Sequence, residues 1–85
     1  MKISVLGAGT WGTALAILLS NNGHEVILWS KLQREIEALS ADRNRIPNLP
    51  GAVLPEEIRL SFELQEALNS YLNINVYSKS HQKKE

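Results

Sequence analysis

The chain has 85 residues and a mass of 9.5 kDa, which allows one domain at most, or part of one, and excludes a complete two-domain enzyme. Hydrophobic residues make up 44% and charged residues 21%, the balance of a globular rather than a disordered chain. Nine Lys and Arg offset nine Asp and Glu, and Cys is absent. Whole-chain charge therefore gives no basis for nucleic-acid or membrane binding, and disulfides and thiolate metal sites are excluded.

Lys2 to Leu6 is β-prone and stops at Gly7, which reads as a strand. Trp11 to Ser20 is rich in Ala and Leu and reads as a helix. It is apolar on nearly every face, so the expectation is a buried helix. Asn21-Asn22-Gly23 stops it, with Gly23 suited to the left-handed position. Glu25 to Trp29 is a second strand whose apolar residues run on without alternation, as in an interior parallel strand covered on both faces. Leu32, Ile36 and Leu39 share one face of an amphipathic helix. Ser40 to Pro55, with three prolines and a glycine, reads as irregular chain. Ile58 to Phe62 reads as a short third strand. Leu64, Ala67, Leu68, Tyr71 and Leu72 mark a further helix, and Ile74 to Tyr77 a fourth strand diluted by Asn73 and Asn75. The fold class is α/β, built on a parallel sheet with a βαβ start and followed by an irregular C-terminal tail.

The chemistry lies at Gly7-Ala8-Gly9-Thr10-Trp11-Gly12, a Gly-x-Gly-x-x-Gly pattern directly after a strand and opening a helix. Gly7 permits the tight turn, Gly9 lets a pyrophosphate approach the backbone, and Gly12 lets helix and strand pack closely. The helix N-terminus offers free N–H groups to the phosphates. Thr10 has two readings, a phosphate donor or a helix cap. Trp11 also has two, a cover for the cofactor or a core anchor.

The second strand ends at Ser30 and Lys31, about 20 residues past the glycines, where NAD-selective sites place a carboxylate on the ribose 2′-hydroxyl. Neither residue is acidic, and Glu35 belongs to the following helix. Ser30, Lys31 and, one turn on, Arg34 suit a 2′-phosphate. The cofactor expected is therefore NADP or NAD, with the balance toward NADP. His24 and His81 are isolated and form no metal motif. No catalytic set is legible. Lys79, Lys83 and Lys84 read as a solvated tail rather than a nucleic-acid contact. No apolar run approaches the roughly 20 residues of a membrane span, and no secretory signal is present. A cytoplasmic chain follows.

Met1 to Trp29, and then Asn48-Leu49-Pro50-Gly51, Leu54-Pro55 and Ile58 to Leu68, closely resemble the start of bacterial NAD(P)-dependent glycerol-3-phosphate dehydrogenases. Trp11 after Gly-x-Gly-x is the specific part, and Thr10 stands where this family more often has Ser. The resemblance implies reduction of dihydroxyacetone phosphate to sn-glycerol 3-phosphate for phospholipid synthesis. It also implies cofactor contacts at Thr10, Trp11 and Lys31. The family's catalytic lysine and helical substrate domain come after residue 85, so the chain is expected to be inactive alone.

The likeness fades after Leu68, where asparagines dilute the apolar run and a Val-Pro-Ser loop is missing. The expectation is a partial dinucleotide-binding domain over 1–78 and a polar tail over 79–85, from a truncated or frameshifted product or a longer gene. One alternative is the first domain of another NADP-dependent reductase, against which Trp11 and Leu49-Pro50 argue. The other is a non-enzymatic truncated module that self-associates through an unpaired sheet edge.

Overall fold

A computed structural model describes residues 1–46, 49–69 and 72–76. The elements run β1 (Lys2–Leu6), α1 (Thr10–Asn21), β2 (Glu25–Trp29), α2 (Gln33–Ala41), β3 (Arg59–Ser61), α3 (Leu64–Leu68) and β4 (Leu72–Asn75). The four strands form one parallel sheet in the order β3-β2-β1-β4. Ile3 is the register partner of Val26 on one side and of Leu72 on the other. This matches four consecutive strands of the order 3-2-1-4-5-6 found in doubly wound dinucleotide-binding folds.

The uninterrupted apolar run of β2 is explained by what covers it. Val26 and Leu28 join Val5 of β1, Ala16 of α1, Leu39 of α2 and the loop residues Ile46, Leu54 and Ile58 in one buried cluster. Ile27 and Trp29 join Leu6 and Ala67 of α3 in a second cluster. Alternate residues of a strand point to opposite faces, so α1 and α2 cover one face and α3 the other. Burying both faces stabilises the strand by roughly 1.5–3 kcal/mol for each fully buried large side chain.

The irregular stretch between α2 and β3 is held by Arg43. Its guanidinium donates to the carbonyls of Pro55 at 2.5 Å and Ile58 at 3.0 Å. The Leu54 N–H also bonds the Arg43 carbonyl at 2.8 Å. These bonds seat Leu54 and Ile58, both fully buried, over the sheet.

Three expectations are corrected. α1 is not buried on nearly every face: Gly12, Thr13 and Ala16 face inward, while Trp11 is 82% and Leu18 57% exposed. A helix lying on one sheet face has only that side covered. Leu72 does not continue α3, which ends at Leu68; it opens β4 and pairs with Ile3. The fourth strand accordingly runs over Leu72–Asn75 rather than Ile74 to Tyr77. A strand already formed at β1 supplies pairing groups that the local helical spacing does not reveal. Tyr71, Tyr77 and the tail over 79–85 lie outside the described residues. No helix among the described residues is long and apolar enough to cross a membrane.

Candidate functional site: the glycine loop and the end of β2

β1 delivers the chain to Gly7 at the carboxyl edge of the sheet. Gly7 has φ +129°, a conformation that side-chain-bearing residues rarely adopt, and its N–H donates to the Trp29 carbonyl at 2.7 Å. That bond ties the loop to the end of β2. Gly9 follows as the N-cap of α1, with extended backbone at φ −74°, ψ −168°.

Gly9 and Gly12 do different work. A Cβ on Gly12 would lie 1.6 Å from the Gly7 carbonyl oxygen and 2.9 Å from Val76 Cγ2. Only a missing side chain lets α1 sit this close to the loop. A Cβ on Gly9 would meet nothing within 4 Å. The absence of a side chain there is not required by the packing of the described chain; it leaves bare backbone facing an open cleft.

The N-terminus of α1 receives no side-chain cap and has no acidic residue in its first turn. Its first N–H groups have no intrahelical partner, and they carry the positive end of the helix dipole. The capping reading of Thr10 is therefore overturned: Gly9 occupies the cap and Thr10 is the exposed first helical residue. The core-anchor reading of Trp11 is overturned by its 82% exposure. Trp11 is instead one of the residues that line the cleft.

That cleft is about 790 Å³, within the range of small-molecule and cofactor sites. All seven residues singled out from the sequence line it: Gly7, Gly9, Thr10, Trp11 and Gly12 from the loop side, Ser30 and Lys31 from the end of β2. A second hollow of about 360 Å³ shares Ala8, Gly9, Thr10 and Glu35 with it and extends toward Arg34 and α2.

One residue, Thr13, was missed in the sequence, and another, Glu35, was set aside as part of the following helix. Thr13 is buried and its hydroxyl donates to the Ala8 carbonyl at 3.2 Å, while its N–H bonds the Gly9 carbonyl at 2.9 Å. It fixes both peptides that flank the open position. Its place one helical turn after Gly9 was the available signal. Glu35 Oε1 accepts the Ser30 hydroxyl at 2.5 Å, and Ser30 Oγ in turn accepts the Leu32 N–H at 3.0 Å. The bend at Lys31 brings a carboxylate from α2 back to the strand end.

Strand order, glycine loop and helix-terminated cleft define a Rossmann-type α/β domain, the cofactor-holding class of NAD(P)-dependent dehydrogenases. A family model described as NAD-dependent glycerol-3-phosphate dehydrogenase N-terminus matches residues 2–83, and the chain belongs to that family. It is 59% identical over 66 residues to a glycerol-3-phosphate dehydrogenase [NAD(P)+] of Lactobacillus delbrueckii subsp. bulgaricus, covering 78% of this chain and 19% of that protein. The solved glycerol-3-phosphate dehydrogenase of Coxiella burnetii superposes with a TM-score of 0.64 at 36% identity, over 79% of this chain and 21% of that one. A 3-hydroxyacyl-CoA dehydrogenase from Archaeoglobus fulgidus superposes with a TM-score of 0.68 at 27% identity, over 98% of this chain and 27% of that one. The chain thus spans about one-fifth of the length of curated relatives that it matches.

Proposed function

We propose that this chain is the cofactor-holding portion of a glycerol-3-phosphate dehydrogenase and binds NAD(H) or NADP(H) at the cleft between the glycine loop and the end of β2. The observation that carries this reading is the uncapped N-terminus of α1 opening onto bare backbone at Gly9. Unpaired N–H groups at a helix start suit a pyrophosphate, and the space that a Cβ would fill at Gly9 lets it come close. Thr10 adds a hydroxyl donor beside them. Trp11 covers the cleft mouth and limits water. Ser30 and Lys31 lie where the adenosine ribose belongs. The nicotinamide, when bound, supplies or accepts the hydride exchanged with dihydroxyacetone phosphate and sn-glycerol 3-phosphate.

Residues 1–78 form part of the dinucleotide-binding domain, and the groups that hold and protonate the substrate belong to a separate substrate domain. Hydride transfer requires nicotinamide and substrate to be held at near-attack distance, so the 85-residue chain binds without turning over. A cytoplasmic location accompanies this function. β4 is one of the two edge strands of the described sheet and Leu72 on it is exposed, which favours pairing with further chain or with a second copy.

Isothermal titration calorimetry of the 85-residue chain with NADH and NADPH tests the reading, with circular dichroism to establish the folded state. Saturable binding of at least one is expected, together with no oxidation of either when dihydroxyacetone phosphate is added. A folded chain that binds neither overturns the proposal.

A further inference from the structure

The Ser30–Glu35 pair bears on which dinucleotide the cleft takes, an inference that rests on the cofactor reading above. Ser30 is buried at the end of β2 and both its hydrogen-bonding roles are filled. It donates its proton to Glu35 and accepts from the Leu32 N–H. It has no proton left for a phosphate. Glu35 is half-buried and lines both the main cleft and the adjoining hollow. Only its Oε1 is engaged; Oε2 has no hydrogen-bond partner among the described residues. Lys31 and Arg34 are exposed, and neither forms an ion pair with Glu35 among the described residues.

An ionised carboxylate only accepts hydrogen bonds. A ribose 2′-hydroxyl has a proton to donate, whereas a 2′-phosphate presents acceptor oxygens and negative charge. We propose that Glu35, held in place by Ser30, accepts the adenosine ribose 2′-hydroxyl and makes the site prefer NAD(H) over NADP(H). Ser30 is the positioning residue and Glu35 the specificity-determining one. The carboxylate that NAD-selective sites usually carry at the strand end comes here from the first turn of α2. The basic residues Lys31 and Arg34, which favour NADP in the sequence, stand outside the bond that holds it.

The test is calorimetric titration of the 85-residue chain with ADP-ribose and with 2′-phospho-ADP-ribose. The pair differs only at the 2′ position. The wild-type chain is expected to favour ADP-ribose. Glu35→Gln is nearly isosteric and removes the charge, and it should shift the affinity ratio toward the 2′-phosphate by about tenfold or more, the scale of one charge-assisted bond. Ser30→Ala leaves the carboxylate but releases it, and should shift the ratio the same way by a smaller factor. It serves as the second probe if the first variant does not fold. Neither shift would occur if the pair only stiffened the start of α2. Wild-type preference for the 2′-phosphate, or a ratio unchanged by the variants, overturns this inference and leaves the cofactor reading intact. Failure of the folded wild type to bind either ligand overturns both.

Discussion

Adding one methyl group at Gly9 and one at Gly12 should have opposite consequences. In Gly12→Ala the new carbon would lie 1.6 Å from a backbone oxygen. Ordinary contact begins near 3.4 Å, so loop and helix must separate by well over an ångström. The two closest atoms, Gly7 O and C, are backbone and cannot swing away as the Val76 methyl could. Overpacking of this kind typically costs about 1–3 kcal/mol, and a backbone clash belongs at or beyond the top of that range. For a domain this small, about 3 kcal/mol corresponds to a fall in Tm of roughly 12 °C or more. Gly9→Ala meets no neighbour and keeps an allowed φ of −74°. Its stability should change by less than about 1 kcal/mol, since the loss of unfolded-state freedom offsets the poorer N-cap. Its affinity for NADH should nonetheless fall at least about tenfold, as the methyl occupies the phosphate approach. Thermal unfolding followed by circular dichroism, with calorimetric titration of each variant, measures both effects. A Gly12→Ala chain melting with the wild type would refute the packing argument. A Gly9→Ala chain binding NADH as the wild type does would refute the phosphate assignment.

Other outcomes follow from single contacts. Arg43→Ala should lower stability in urea by about 2 kcal/mol, because two charge-assisted bonds to the Pro55 and Ile58 carbonyls are lost. Limited proteolysis should then cut first between α2 and β3. Trp11→Ala should change stability by less than about 0.5 kcal/mol, since the indole is 82% exposed, yet should weaken NADH binding in the same calorimetric assay. Arg59→Ala should cost no more than about 1 kcal/mol in a denaturant titration, because its pairing with Glu66 lies largely in solvent. The small loss should shrink further as salt is added.

The start of the fold and the glycine loop were legible because each signal there is local. A strand ending in glycine, a helix stopped at Asn22-Gly23 and an unbroken apolar strand follow one another without long-range help. The interruption at Leu72 was misread for the opposite reason. Leu64, Leu68 and Leu72 keep a helical spacing, but Leu72 finds its partner at Ile3, at the other end of the chain. Trp11 could not be placed from its type alone, because indoles serve equally in cores and at cleft mouths. The link from Ser30 to Glu35 depends on the bend at Lys31, which brings an i+5 side chain back to the strand end.

By itself the sequence determined the α/β class, the succession of β1, α1 and β2, and the cleft-forming glycine loop, since neighbouring residues set backbone preference and hydrophobic run. The tertiary structure decided what each loop position faces. It separated Gly12, which packing requires, from Gly9, which packing does not. It also turned Trp11 outward and set a carboxylate beside Ser30. These outcomes depend on the meeting of elements distant along the chain or across a turn, and that meeting is governed by the space and hydrogen-bonding groups left once the sheet has formed.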